Sequence, residues 1–483
     1  MKRQGNHRVT FKVLGFNLII LSAFVFTCVP VALYYSEDIM PFVYTSLFGF
    51  SMGLILKFFS LGNDEMVQLR RKESFLIVTL SWIFIILIGS LPYLFSNAIP
   101  GVVNAIFESV SGFTTTGSSI LTDIEVLPRS IVYWRSLTHW IGGIGIIVLV
   151  IIVMPAFHVG SYQLFTLESS LQDRIQPKIK SIGNRVLLIY VILTMAETLF
   201  LVAGQMPLFD SVCHSFGTVA TGGFSTKNAS IIEYSPYIQY VITIFMLLAG
   251  INFAIHYYLY KREFNKVREN EELRFYLFVV FLLVAVVTVS LYFTMPKTLE
   301  ESFRESFFQV VSIVTCTGFA SADYLQWPAF AWTIIFFSMF LGGSTGSTAG
   351  GIKMARHLIL FKNIKNIFYQ LISPHAVLPI KLNGKVISAE ANKSILTFIT
   401  VYILVFAAGS LSLALLGMDG QTASSAVATC MAGIGPGIGT IGPVSNFAHL
   451  PDLGKVILSV MMLLGRLEIY TVIVLFSINF RNI

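Results

Sequence analysis

Apolar segments long enough to cross a lipid bilayer recur along the whole chain of 483 residues. A membrane helix needs about 20 consecutive apolar residues. Ten segments meet this requirement, near residues 11–35, 41–60, 74–95, 130–154, 184–204, 235–260, 275–294, 328–360, 394–417 and 453–479. Hydrophobic residues make up 55% of the chain and charged residues only 12%, which excludes an ordinary soluble protein. The sequence therefore predicts an all-α polytopic membrane protein.

The charged residues indicate orientation rather than a polyanionic partner. The net charge is +7, but lysine and arginine occur in short clusters between the apolar segments, which argues against a nucleic-acid-binding face. Such clusters are enriched in cytoplasmic loops, and their positions predict that both termini are cytoplasmic. The first apolar run is too long for the core of a signal peptide, so we expect it to remain as a membrane helix.

A short stretch rich in threonine and glycine, Thr114-Thr115-Thr116-Gly117-Ser118, lies between two apolar segments. Three related stretches follow it: Ala220-Thr221-Gly222-Gly223-Phe224, Thr315-Cys316-Thr317-Gly318-Phe319 and Gly433-Ile434-Gly435-Pro436-Gly437. We call all four the Thr/Gly stretches. Their spacing of roughly a hundred residues indicates internal repetition.

Each repeat is predicted to contain a span, a short amphipathic helix, a Thr/Gly stretch and a second span. Two extra N-terminal spans occupy residues 1–73, and the four repeats occupy residues 74–160, 161–262, 263–375 and 376–483. The runs before the stretches are too short to cross a bilayer, so re-entrant helices fit them better. Irregular backbone at membrane depth is tolerated where it is buried in protein or lines a cavity. Four pseudo-symmetric span–pore loop–span repeats around one pore satisfy this condition.

The residue types in the stretches suit cation binding. Rings of backbone carbonyl oxygens replace the hydration shell of an alkali cation, and glycine gives those carbonyls conformational freedom. The C-terminal ends of short helices add negative dipole, and threonine hydroxyls add oxygens. One isolated stretch is more simply a turn between helices. Four stretches at equivalent places favour a filter.

The predicted filter includes one ring glycine from each repeat: Gly117, Gly222, Gly318 and Gly435. The predicted ion-binding positions are Thr116, Gly117, Thr221, Gly222, Thr317, Gly318, Ile434 and Gly435, and the filter also includes Thr115, Gly223, Phe319 and Pro436. The fourth stretch departs from the others in two places: Gly433 stands where the other repeats have Thr115, Ala220 or Cys316, and Pro436 follows the filter glycine. The ring therefore cannot be chemically symmetric.

The repeated unit, the two leading spans, the run Trp134-Arg135-Ser136-Leu137-Thr138 before Trp140-Ile141-Gly142-Gly143, and Gly435-Pro436-Gly437 carry a family likeness. The chain resembles the Trk/Ktr/HKT potassium transporter superfamily, and within it the bacterial Trk-type membrane subunits. The resemblance covers nearly the whole chain. It implies potassium uptake across the bacterial cytoplasmic (inner) membrane, with one filter glycine per repeat. A serine in the first repeat of that family is associated with sodium permeation, and Gly117 stands at that position here.

The same resemblance implies the partners. It predicts a homodimer in the lipid bilayer and a cytoplasmic nucleotide-binding regulatory subunit of the TrkA type. The chain has no nucleotide motif of its own, so nucleotide control would act through that subunit. No cofactor is predicted, and the resemblance implies K+ as the transported ion.

A glycine-rich run interrupts the second span of the third repeat. It comprises Gly342, Gly343, Ser344, Thr345, Gly346, Ser347, Thr348, Ala349, Gly350 and Gly351, with Lys353 two residues later. Each glycine costs a helix about 1 kcal/mol relative to alanine. The resemblance implies an intramembrane gate below the filter, whereas a packing kink between small-residue helix faces is the alternative.

Arg466 lies inside the last apolar segment, where a charge is a functional candidate. The resemblance implies that this arginine faces the pore near the glycine-rich run. The alternative is an ion pair with a buried acid, for which Glu197 is available.

Two other functions remain open on the sequence. A proton- or sodium-coupled symporter shares the broken span and would use Glu197, Glu468 or Glu108. An intramembrane serine protease would use Ser344 or Ser347 with His139 or His256, since Gly342-Gly343-Ser344-Thr345-Gly346 formally matches GxSxG without the strand that this motif requires. The four cysteines lack CxxC spacing and indicate neither disulfides nor a metal site.

Overall fold

The structure is a computed structural model that describes residues 7–60, 71–148 and 175–469. The helices in chain order are α1 (His7–Phe26), α2 (Cys28–Tyr34), α3 (Met40–Phe59), α4 (Arg71–Phe95), α5 (Val102–Phe113), α6 (Arg129–Val148), α7 (Ile175–Ala203), α8 (Leu208–Val219), α9 (Pro236–Ala249), α10 (Phe253–Tyr260), α11 (Phe264–Arg268), α12 (Glu271–Thr294), α13 (Leu299–Val314), α14 (Ala329–Ser338), α15 (Met354–Ile372), α16 (Ala389–Leu415), α17 (Gly420–Ala432) and α18 (Asp452–Arg466). A two-stranded hairpin, β1 (Lys381–Leu382) and β2 (Lys385–Val386), precedes α16, and 3-10 turns occur at Tyr324–Gln326 and Gly439–Ile441.

Six helices in the described ranges are long and apolar enough to cross a membrane. They are Arg8–Tyr34, Met40–Phe59, Leu76–Phe95, Gly183–Ala203, Glu271–Thr294 and Ala389–Leu415. They correspond in position to the two leading segments and to the first span of each predicted repeat. The protein is therefore an all-α membrane protein, as the composition predicts.

The four remaining predicted spans are interrupted or run beyond the described residues. Helices α6 and α18 end at Val148 and Arg466, and the predicted continuations, residues 149–154 and 470–479, lie outside the described ranges. Helices α9 and α10 meet at an angle of 99°. Helices α14 and α15 are separated by irregular residues 339–353, where the sequence predicts a break.

The bend between α9 and α10 is a feature that the sequence analysis missed. Gly250 ends α9, and the side chain of Asn252 begins α10 by accepting a hydrogen bond from the Ala254 N–H at 2.8 Å. A helix N-terminus has unsatisfied N–H groups that asparagine caps well. A glycine followed by asparagine inside an apolar run was the available signal. The segment predicted as a span at residues 235–260 is therefore bent near its middle.

Four short helices, α5, α8, α13 and α17, each end at a Thr/Gly stretch. Each packs between the helices before and after it, namely α4 and α6, α7 and α9, α12 and α14, and α16 and α18. Helices of one repeat also pack on the next short helix, in the pairs α6 with α8, α9 with α13, and α18 with α5. The last pair joins the end of the chain to its first repeat, so the repeats surround a common centre.

Candidate functional site

The four Thr/Gly stretches adopt the same backbone turn. Two residues in each stretch have positive φ, with one residue between them. The first has φ of 53° at Thr115, 54° at Thr221, 58° at Cys316 and 73° at Gly433, and the second has φ of 83° at Gly117, 79° at Gly223, 82° at Gly318 and 103° at Gly435. The N–H of the residue between them donates to the carbonyl five residues earlier, in Thr116 to Ser111, Gly222 to Gly217, Thr317 to Ser312 and Ile434 to Thr429. The stretches are therefore structurally equivalent.

This equivalence changes the register that we expected for the second repeat. Gly223, rather than Gly222, has the left-handed conformation of Gly117. Thr221, rather than Ala220, is the counterpart of Thr115. Two adjacent glycines tolerate this conformation equally well, so the local sequence could not choose between them. Gly222 is small for another reason, because a Cβ there would overlap the ring of His139.

Each left-handed glycine packs against a carbonyl of the neighbouring stretch. A Cβ built on any of the four would lie within 3.0 Å of that oxygen. The pairs are Gly117 with Gly222 O, Gly223 with Thr317 O, Gly318 with Ile434 O and Gly435 with Thr116 O. The order runs from the first stretch to the fourth and back to the first, so the stretches form a closed ring with carbonyl oxygens at every junction.

Hydrogen bonds of threonine and serine hydroxyl groups stabilise the conformation of the ring. The Thr114 and Thr116 hydroxyls are 2.7 Å apart, and the Thr315 and Thr317 hydroxyls are 2.8 Å apart. The Ser118 hydroxyl donates to Gly435 O at 3.1 Å and joins the first stretch to the fourth.

The carbonyl oxygens of two predicted filter residues, Phe319 and Pro436, are hydrogen-bonded to hydroxyl groups of the short helices. The Phe319 carbonyl accepts a hydrogen bond from the Ser312 hydroxyl at 2.6 Å. The Pro436 carbonyl accepts one from the Thr429 hydroxyl at 3.0 Å. Both oxygens are therefore bound by the short helices that precede them, and the carbonyls at the junctions of the ring are the better candidates for ion ligands.

A buried ion pair supports the ring. Arg135 Nε lies 2.6 Å from Glu108 Oε1, and both side chains are almost fully buried. The Arg135 guanidinium also donates to Ser225 O at 3.0 Å and covers the Phe224 ring at 3.5 Å. His139 stacks on the same ring with centroids 4.0 Å apart. These contacts connect the first repeat to the last residue of the second stretch and to Ser225 after it, which is a structural role.

Residues 342–351, which we call the gate loop, pack beneath the ring. An antiparallel bridge between Gly342 and Gly351 closes the loop at its base. The Thr348 hydroxyl donates to Val219 O at 3.0 Å, and Gly350 packs directly on Ala432 O. Val219 and Ala432 are the last residues of α8 and α17, so the gate loop contacts the ends of two short helices.

The gate loop is also bonded to the bend in the second repeat. Ser344 N donates to Gly250 O at 2.8 Å, and Phe253 N donates to Gly346 O at 3.2 Å. The bend between α9 and α10 therefore makes room for the loop and provides it with hydrogen-bond partners. The interruptions of the second and third repeats are therefore in direct contact.

Two positively charged side chains, those of Arg466 and Lys353, donate hydrogen bonds to carbonyl groups in and next to the gate loop. Arg466 donates to Thr348 O at 2.9 Å and to Gly142 O at 3.1 Å. Gly142 in turn packs on the carbonyl of Phe113, the last residue of α5. Lys353 Nζ donates to Ala349 O. Arg466 therefore links the gate loop to α6 of the first repeat, at the point where α6 packs on the end of α5.

The carboxylates singled out in the sequence do not partner Arg466. Glu468 pairs with Arg356 at 2.6 Å, and Glu108 pairs with Arg135. Glu197 is fully buried in α7, and neither of its oxygens has a hydrogen-bond partner among the described residues. The alternative of an Arg466–Glu197 ion pair is therefore not formed.

The groups needed by the protease alternative do not meet either. A ring nitrogen of His139 contacts Gly112 O at 2.7 Å, and one of His256 contacts Leu248 O at 2.9 Å. The Ser347 hydroxyl donates to Ser344 O at 2.7 Å. No group of three or more metal-ligating side chains occurs in the described ranges.

Known proteins similar to this chain match it along its length. A family model described as a cation transport protein, TrkH, matches residues 42–482. The Trk system potassium uptake protein TrkH of Salmonella typhimurium is 36% identical over 482 residues, which are 98% of this chain and 99% of that protein. TrkG of Escherichia coli, also named a Trk system potassium uptake protein, is 34% identical over 483 residues, which are 97% and 98% of the two chains. The crystal structure of the potassium transporter TrkH from Vibrio parahaemolyticus superposes with a TM-score of 0.90 at 32% identity, covering 99% of this chain and 100% of that one.

Proposed function

Since the chain belongs to the TrkH family of cation transport proteins, we propose that it mediates potassium uptake through the ring of its four Thr/Gly stretches. The observation that carries this proposal is the closed series of glycine-to-carbonyl contacts, which gathers uncharged oxygen ligands from all four repeats at one place. Uncharged carbonyl ligands suit a dehydrated alkali cation.

The surrounding elements favour a cation at the ring. Helices α5, α8, α13 and α17 all end there, and each directs the negative end of its dipole at the shared centre. The carbonyls of Thr116, Gly222, Thr317 and Ile434 are the proposed potassium ligands. Gly117, Gly223, Gly318 and Gly435 leave the space in which those carbonyls fit. Because all four positions hold glycine, we propose potassium rather than sodium as the preferred ion.

The gate loop is the proposed barrier to conduction. It occupies the region below the ring and contacts the ends of two short helices. Arg466 bridges it to the first repeat, and its buried positive charge opposes the passage of a cation. Conduction then requires that the loop and Arg466 move apart.

We further propose the setting in which this transport occurs. The relatives are named Trk system potassium uptake proteins, which supports membership of a Trk system. The proposed setting is a bacterial inner membrane with cytoplasmic termini, as the lysine and arginine clusters predict, and a regulatory subunit of the TrkA type. From Phe361 to its end, α15 carries an exposed apolar face that includes Phe361, Phe368, Leu371 and Ile372. Exposed apolar patches of this kind mark protein interaction sites, and a second copy of the chain in a homodimer is the proposed occupant.

Coupled symport is a second candidate because of Glu197. A buried carboxyl group with no hydrogen-bond partner at membrane depth is a candidate proton carrier. Reversal potentials measured across a pH gradient separate the two functions. A reversal potential that follows the potassium gradient alone supports a channel, and one that shifts with pH in the parent protein but not in Glu197→Gln supports symport.

The proposed function is tested with the purified protein in liposomes loaded with potassium. We expect uptake of rubidium tracer that external potassium suppresses at lower concentration than sodium does. Equal suppression by the two ions would contradict potassium preference. Empty liposomes provide the background.

A further inference from the structure

A buried carboxylate on α12 joins the gate loop to the helix that follows it. Glu272 is only 1% exposed. Its Oε1 accepts one hydrogen bond from Thr345 N at 2.7 Å and another from Ala355 N at 2.9 Å. Thr345 lies in the turn at the far end of the gate loop, and Ala355 lies in the first turn of α15. One oxygen atom thus binds both segments.

The charge of Glu272 is compensated mainly by these two N–H groups. Its other oxygen, Oε2, has no hydrogen-bond partner among the described residues. The N-terminus of α15 adds the favourable end of a helix dipole. Leaving a buried charge without its partners is strongly destabilising. When one of the two N–H groups moves away, the buried carboxylate of Glu272 loses stabilisation and its hydrogen bond to the other weakens. The gate loop and α15 are therefore expected to separate from Glu272 together.

Helix α15 belongs to a small core outside the membrane core. Six residues form this core: Ala355, Ile359, Leu382, Ile387, Ala391 and Ile395. They come from α15, the β1–β2 hairpin and the start of α16, which we call the hairpin unit. Ala355 therefore has two partners, because its side chain packs in the hairpin unit and its N–H binds Glu272.

The hairpin unit is also bonded to the start of α12. Asn383, in the turn of the hairpin, accepts a hydrogen bond from Glu271 N at 2.7 Å. Lys362 of α15 forms an ion pair with Glu271 and donates to Lys381 O at 2.7 Å. Adjacent residues of α12 thus bind the hairpin unit on one side and the gate loop on the other. The hairpin and the gate loop are therefore linked through two adjacent residues of α12, Glu271 and Glu272.

We propose that Glu272 is a positioning residue of the gate, through which the hairpin unit holds the gate loop in place. A protein that binds the hairpin and displaces α15 relative to α12 breaks both hydrogen bonds of Glu272 and releases the loop. This inference rests on the proposed role of the gate loop in transport. It adds the link by which a soluble partner controls that loop.

Thiol labelling of the gate loop tests the link without measuring ion transport. All four native cysteines are buried, so Ser347→Cys provides a single reporter in the loop. A membrane-impermeant thiol reagent is applied from the side of the hairpin. We expect slow labelling in the parent protein and labelling faster by about tenfold, equivalent to ~1.4 kcal/mol, when Glu272→Gln is added. Glu272→Ala, which removes the acceptor oxygen as well, should label faster still.

A matched control is Glu269→Gln, which removes the same charge from an exposed side chain three residues earlier and should leave labelling unchanged. Ser306→Cys, at a fully buried position in α13, reports general loosening and should stay unlabelled in every variant. If Glu272→Gln folds and labels at the parent rate, Glu272 does not hold the loop. Rubidium uptake is measured on the same samples: faster labelling without any rubidium uptake would keep the link and reject the proposed transport function.

Discussion

Gly318 shows why the ring requires glycine at the scale of a single residue. Its φ of 82° lies in the left-handed region, where a side chain costs about 1–2 kcal/mol. A Cβ at this position would also overlap Ile434 O. Because that oxygen is a proposed ion ligand, any side chain at Gly318 displaces part of the coordination shell.

We therefore predict that Gly318→Ser lowers rubidium uptake by at least about tenfold, equivalent to 1.4 kcal/mol, or abolishes the preference for potassium over sodium. Uptake into liposomes with each competing ion measures both effects. Gly420→Ser is the control, because a Cβ on Gly420 meets no atom within 4 Å. Unchanged uptake and selectivity in Gly318→Ser would reject the filter assignment.

Arg466 combines a positive charge with a bridge between two carbonyl groups, and these contributions can be separated. Lysine keeps the charge but cannot reach both Thr348 O and Gly142 O in the forked geometry of a guanidinium. We predict that basal rubidium uptake increases in the order parent, Arg466→Lys, Arg466→Ala. Arg274→Gln, at an exposed position, should match the parent. Parent-level uptake in Arg466→Ala would show that Arg466 does not restrict conduction.

At the scale of elements, the gate loop is held by many contacts with other segments and few of its own. Its hydrogen bonds reach the bend between α9 and α10, the end of α8 and the start of α12. Such a segment can leave its position without unfolding the spans around it, because it carries little of the membrane core.

We predict that deletion of residues 346–350 increases the open probability in single-channel recordings, since the contacts with Val219 and Ala432 are lost. The ion selectivity should stay that of the parent, because the deletion leaves the ring intact. A deletion variant that folds, as judged by its elution from a sizing column, and has unaltered flux would count against the gate assignment.

At the scale of the whole molecule, one chain supplies all four parts of the ring. The contact from Gly435 to Thr116 O closes the ring within the chain. A second copy is therefore not needed to complete the proposed conduction pathway. Dimerisation through α15 would instead concern the hairpin unit and its regulation.

Because the ring is complete within one chain and the proposed dimer contact lies on α15, oligomeric state and transport can be tested separately. Replacing Phe368 and Ile372 with lysine should convert a dimer to a monomer in light-scattering measurements, because charges on the apolar face of α15 are costly to bury. Rubidium uptake per chain should remain close to the parent value. Val377→Lys, at a site 91% exposed, is the control. Monomers that conduct nothing would show that the pathway depends on the second copy.

The local sequence determined the features that depend on near neighbours along the chain. Apolar runs predicted the membrane helices, and the recurrence of Thr/Gly stretches predicted four equivalent turns after short helices. The glycine content of residues 342–351 predicted a break, because glycine disfavours helix wherever it occurs. These properties require no knowledge of distant residues.

The tertiary structure decided everything that depends on which distant residues meet. Gly222 and Gly223 are equally permissive as sequence, and the packing of His139 and Thr317 O assigned their separate places. Arg466 found Thr348 O and Gly142 O rather than Glu197, although 118 and 324 positions separate it from those partners. The sequence analysis did not single out Glu272, and only the fold brings Thr345 and Ala355 to its carboxylate. Hydrogen bonds and close packing act over a few ångströms in space, so their partners are set by the fold and cannot be read from spacing along the chain.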